Sequence, residues 1–113
     1  MAQDKVFDGT MVKYLLEITA SGFDMDRDDF QVTLKRGSKS LTISKAGMVV
    51  ESYTEVQDNI SVEKHHYYVC FDTSYFGKGT ISVVVTAWAP DDDFEGGFRR
   101  IVHKFDLTDV MPV

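Results

Sequence analysis

The chain has 113 residues, 43% of them hydrophobic and 27% charged, which suits one folded core and is too short for two. These proportions point to neither a disordered segment nor a membrane protein, and the longest apolar run, Val83 to Ala89, is far shorter than the roughly 20 residues of a spanning helix. A net charge of −6 argues against a nucleic-acid partner, because phosphates repel an acidic surface unless basic residues gather on one face; Lys35-Arg36 with Lys39 and Arg99-Arg100 with Lys104 both lie near acidic runs that offset them.

In chain order, residues 1–11 read as an arm or a short leading strand to a single domain spanning 1–113. Met1-Ala2-Gln3-Asp4 lacks the basic start and apolar centre of a secretory signal, so synthesis and folding in the cytoplasm are expected. From Val12 to Ala20, Tyr14, Leu16 and Ile18 share one face at a period of two, the mark of a half-buried strand, with Leu15 on the opposite face. Ser21-Gly22 breaks this run before an acidic loop, Asp24 to Asp29. Carboxylates at alternate positions there evoke a calcium loop, but Asp29 stands where that motif needs glycine and Lys35 where it needs glutamate. A solvated acidic loop is therefore expected, with calcium as the alternative.

Phe30, Val32 and Leu34 alternate with polar residues, and after the turn Arg36-Gly37-Ser38 the alternation resumes at Leu41 and Ile43, which predicts a hairpin. Met48 to Asn59 carries Glu51, Glu55 and Asp58 and reads as a long surface excursion or a weak edge strand, with Ile60 and Val62 pairing briefly. His66 to Phe71 predicts a strand with Tyr67, Val69 and Phe71 on one face, and places Cys70, the only cysteine, as a small buried apolar residue. Ser82 to Trp88, apolar on both faces around Thr86, predicts a central strand covered on both sides. Arg100 to Leu107 closes the set, with Ile101, His103, Phe105 and Leu107 at alternate positions. About seven strands at regular spacing and no helical period predict an all-β, immunoglobulin-like antiparallel β-sandwich.

Chemistry-bearing residues are sparse. Asp91-Asp92-Asp93-Phe94-Glu95 is followed by Arg99-Arg100, and the expected arrangement is a loop in which guanidinium groups neutralise Asp91 and Asp93, with a cation site as the alternative. Adjacent strand residues point to opposite faces, so His65 and His66 cannot serve one metal together, and His103 is distant in sequence. Ser74 and Cys70 lack the neighbours of an activated nucleophile, and Gly77-Lys78-Gly79 reads as a turn and not a phosphate loop. No metal or cofactor is expected. Tyr53, Tyr75 and Trp88 are the aromatics placed to stack on a carbohydrate.

The run Phe71-Asp72-Thr73-Ser74, then Phe76-Gly77-Lys78-Gly79-Thr80-Ile81, then Ala89-Pro90-Asp91 and Asp93-Phe94 with Gly97-Phe98-Arg99, resembles small β-sandwich domains of structural proteins from tailed phages and prophages of Bacteroides-type bacteria. Gly22-Phe23, Asp28-Asp29-Phe30 and Lys35-Arg36-Gly37 fit the same pattern, so the resemblance spans roughly residues 12 to 110. It implies a non-enzymatic, virion-associated module of a tail or baseplate, with itself or neighbouring proteins as partners and no catalytic residues. A carbohydrate-binding or adhesion domain is the alternative. A small hydrolase is the third reading and would need Asp91 and Asp93 clustered with a histidine.

Overall fold

A computed structural model describes residues 4–113. Eight strands alternate with three short 3-10 turns: β1 (Asp4–Phe7), β2 (Met11–Leu16), β3 (Phe30–Arg36), β4 (Lys39–Ser44), β5 (Val49–Gln57), β6 (Ile60–Asp72), β7 (Gly79–Pro90) and β8 (Phe98–Met111). They form a five-stranded sheet in the order β1-β8-β7-β3-β4 and a three-stranded sheet in the order β2-β6-β5. All pairs are antiparallel except β1 with β8. Setting β2 to β8 against strands B, C, C′, D, E, F and G gives sheets B-E-D and G-F-C-C′, the order of an immunoglobulin-type sandwich, with β1 added beside the last strand.

The period-two pattern decides which residues enter the core. Phe30, Val32 and Leu34 of β3 and Ile81, Val83, Val85 and Ala87 of β7 face Tyr67, Val69 and Phe71 of β6, all buried. Partly buried Val12, Tyr14 and Ile18 pack against them, so the inward face predicted around β2 is present, although the strand itself ends at Leu16. The β3–β4 hairpin forms as predicted, with Arg36 opposite Lys39 and Gly37 at φ +57° in the turn, a left-handed conformation that glycine adopts without strain.

At the β6–β7 corner, fully buried Thr73 donates from Oγ1 to the Thr10 carbonyl at 2.8 Å and accepts the Gly9 amide at 3.1 Å. Arg36 reaches the same corner and donates from Nε to the Phe76 carbonyl. Gly79, at φ +126°, lies where a Cβ would come within 3.0 Å of the Arg36 side chain. The Gly77-Lys78-Gly79 turn thus accommodates an arginine instead of a phosphate.

The strands β2 to β8 are the about seven predicted, and β1 lies within residues 1–11, read as an arm or a short leading strand. Three expectations are corrected. Of the two readings of Met48 to Asn59 the edge strand is the one present, nine residues paired along their whole length with β6, and Ile60 and Val62 do not pair briefly but open a strand that runs 13 residues. Cys70 is exposed, because it projects from the outer face of the three-stranded sheet, where no further layer lies. The outer face of β7, Val84, Thr86 and Trp88, is half-buried and not covered, since the second sheet packs on one side only.

Candidate functional site

The β5–β6 hairpin continues past the core as a two-stranded ribbon. Asp58 and Asn59, at φ +51° and +63°, form a two-residue turn with both central residues left-handed, a conformation these residue types tolerate and one whose twist matches the flanking strands. All nine residues of β5 are exposed, including Val49, Val50, Tyr53 and Val56, and Ile60 across the turn is 64% exposed. The radius of gyration of 16.2 Å exceeds the roughly 13 Å of a compact domain this long, as a projecting ribbon requires.

Backbone groups at the ribbon's edges follow from the register. The tight turn makes Gln57 and Ile60 a hydrogen-bonded pair, so bonded pairs recur at Glu55–Val62, Tyr53–Lys64 and Glu51–His66. Val50, Ser52, Thr54 and Val56 therefore direct their N–H and C=O groups away from β6, along an edge with no neighbouring strand among the described residues. On the far side β2 pairs with β6 only from Tyr67 to Asp72, which leaves Ser61, Glu63 and His65 facing a notch where β2 has ended.

The ribbon's outer face carries a ladder of side-chain pairs. Lys13 lies 3.4 Å from Glu51 and 4.4 Å from the Tyr68 ring centroid, His66 stacks on Tyr53 at 4.1 Å, and Lys64 approaches Glu55 at 3.8 Å. These exposed ion pairs contribute little stability; they set the pattern of charge that a partner meets.

A recess of about 440 Å³ opens at the base of the ribbon, between the segment after β2, the 24–26 loop and the start of β6. Asp26 anchors it, with Oδ1 accepting the Tyr67 hydroxyl at 2.9 Å and lying 3.2 Å from His65 Nδ1. The loop is built on its own carboxylates. Asp24 accepts the Asp26 amide at 2.8 Å, buried Asp28 receives the Arg27 guanidinium at both oxygens at 2.8 Å, and Lys45 donates to the Asp26 and Asp28 carbonyls. Asp24, Asp26 and Asp29 are exposed, as expected of a solvated acidic loop, while buried Asp28 and the hydrogen bonds fix its shape, and no group of three or more metal-ligating side chains forms among the described residues.

Burial first, then the Asp26 hydrogen bond and the charges of Asp26 and Asp24, push the Tyr67 hydroxyl from 10.0 up to about 12. Because the folded value is the higher, this contribution to stability is complete below pH 10 and is lost as the pH rises toward 12. Chemical denaturation at several pH values should show that decline, and Tyr67→Phe should flatten it. An equally steep decline in the variant would disprove the assignment.

The other sequence-selected residues are dispersed. Asp91 accepts Arg99 Nε at 3.2 Å, and Arg99 also donates to the Ser21 carbonyl, tying the acidic loop to the loop after β2. Asp93 contributes its main-chain amide to Asp91 at 3.0 Å, while Arg100 is exposed opposite Trp88 and does not join the loop. Tyr53 lies on the ribbon, Tyr75 at the β6–β7 corner with its hydroxyl 3.2 Å from the Ser40 carbonyl, and Trp88 on the outer face of the larger sheet. They occupy three surfaces and form no common stacking platform.

His65 belongs to Asp26, His66 to Tyr53, and His103 is exposed on β8. Neither Asp91 nor Asp93 forms a hydrogen bond or ion pair with a histidine. Sequence reading missed the ribbon, whose signal was the turn-forming pair Asp58-Asn59 between two β-rich runs. Nothing in the spacing of Asp26, His65 and Tyr67 could have joined them. Comparison with protein-family models, with curated proteins and with solved structures returned no match.

Proposed function

We propose that this domain is a non-enzymatic assembly module that engages a neighbouring protein by strand addition at the β5 edge of its ribbon. The observation that carries this reading is an edge strand nine residues long and exposed throughout. Sheet proteins ordinarily blunt such edges with lysine, proline, bulges or short length. Here β1 has four residues, and β2 and β4 have six each and carry Lys13 and Lys39. Strand β5 has neither lysine nor proline, and its register with β6 is unbroken. Its two charges, Glu51 and Glu55, each lie near a lysine, Lys13 of β2 and Lys64 of β6, so an edge of this length suits main-chain pairing with another strand, with Val50 and Val56 covered on association. The phage resemblance supplies the setting of the proposal, a tail or baseplate whose neighbouring subunits are the partners.

Thr54→Pro tests it. The Thr54 amide points away from β6, so proline there removes an edge donor while sparing the β5–β6 ladder. The chain alone, and co-expressed with products of its flanking genes, should give an assembly by sedimentation velocity. The variant should weaken that assembly about tenfold or more while keeping its circular dichroism spectrum and melting temperature. A wild-type chain that stays monomeric in every combination, or a variant that assembles equally well, would overturn the proposal.

A further inference from the structure

We infer that the notch beside β6 is a second docking position, which takes an extended peptide segment and seats its lysine or arginine side chain in the recess at the ribbon's base. This position lies on the opposite edge from β5 and does not depend on what pairs there.

Strand β2 stops at Leu16, opposite Tyr67, whereas β6 starts seven residues earlier at Ile60. A strand continuing the line of β2 would meet the outward N–H and C=O groups of His65, Glu63 and Ser61. Its residue opposite His65 would project to the same face as His65, since paired positions share a face. That face is the one on which Asp26 lies, 3.2 Å from the His65 ring. The backbone and the recess are therefore in register for a single segment.

The recess selects a cation. Glu17, Asp24 and Asp26 line it against one ammonium, Lys64, which is drawn aside to Glu55 at 3.8 Å. Asp26 commits only Oδ1 to Tyr67 and His65, and among the described residues Oδ2 and the Glu17 carboxylate have no donor. Tyr53 and His66, stacked within 24° of parallel, border the recess from the ribbon's outer face, opposite to the face that His65 and Asp26 share. A neutral residue of equal length would gain the packing and forgo the charge. An acidic one would meet three carboxylates.

The experiment is a heteronuclear NMR titration of the isotopically labelled chain with the capped peptide Thr-Val-Lys-Val-Thr and its counterparts carrying norleucine or glutamate for lysine. The lysine peptide should shift the amides of Ser61, Glu63, His65 and the 24–26 loop, with a millimolar dissociation constant typical of so short a segment. The norleucine peptide should bind about fivefold more weakly and the glutamate peptide not at all. Glu17→Gln, on an exposed side chain with no hydrogen-bond donor among the described residues, and Asp26→Asn should each lower lysine-peptide affinity, whereas Thr54→Pro should leave it unchanged.

Equal binding of lysine and norleucine peptides would overturn the inference. So would shifts confined to Val50–Val56, no shifts at any soluble peptide concentration, or N-acetylglucosamine shifting the same recess amides. Because Thr54→Pro addresses only the β5 edge, failure of the assembly proposal and failure of this one are read separately.

Discussion

Phe30→Ala should lower the free energy of unfolding by about 3–5 kcal/mol, a large share of the marginal stability of a domain this size. Phe30 is 1% exposed and opens β3 at the point where the loop enters the sandwich. Its ring meets Tyr67 edge-on at 5.3 Å and Phe23 at 6.2 Å, while Lys45 Nζ lies 5.4 Å from its centroid. Truncation leaves a cavity between the two sheets and also loosens Tyr67, through which Asp26 is placed. A fall in melting temperature of more than about 10 °C is expected by calorimetry. Phe98→Ala is the control: that ring is 55% exposed, and its loss should cost well under 1 kcal/mol. Similar losses for both variants would refute the assignment of Phe30 as the packing link between the acidic loop and the core.

The second large effect belongs to Asp28. Its carboxyl is 5% exposed and receives Arg27 at both oxygens together with the Asp24 amide at 2.9 Å. The Arg27 hydrogen bonds, followed by the Asp24 amide and the charges of Arg27 and Lys45, outweigh burial and hold this carboxyl below its ordinary 3.8. A depressed folded value means that the stabilisation is present above pH 3.8 and is lost as the pH falls through the lower folded value. Asp28→Asn keeps the shape but removes the charge. It should cost about 2 kcal/mol at neutral pH, less than a fully buried pair because Arg27 is largely solvated. Urea unfolding at pH 7 and again in acid should show the difference between the two proteins shrinking as the carboxylate protonates. A difference that persists unchanged in acid would remove the charge-assisted fork as the cause.

Sequence and structure part company where one strand's fate depends on another. The alternation in β3, β6 and β7 made their buried faces legible, because a period of two needs no knowledge of neighbours to assign residues to sides. Which side is covered is a different matter. Cys70 and Tyr68 alternate with core residues as regularly as Val69 does, yet they face solvent because the smaller sheet has a single packed face. Likewise β5 reads as polar because it lacks a core to face; its strand conformation comes from nine cross-strand pairs with β6 and a left-handed turn, and none of its residues is buried.

The candidate site shows the same division. Asp91 and Arg99 stand eight residues apart, and the acidic loop with its neighbouring arginines invited the pairing that the loop makes. Asp26 and Tyr67 are 41 residues apart in the chain and meet only because the loop after β2 folds over the end of the sandwich.

Taken by itself, the order of residues determined the all-β class, the inward faces of the central strands, the β3–β4 turn and the acidity of the loops, since each depends on local period, turn chemistry or charge. The tertiary structure alone decided that β2 ends at Leu16, after six residues, while β6 extends beyond it, leaving a ribbon with two open edges and a recess at its base. The physical reason is that an edge is defined by the absence of a neighbour, and no single strand encodes where its neighbour stops.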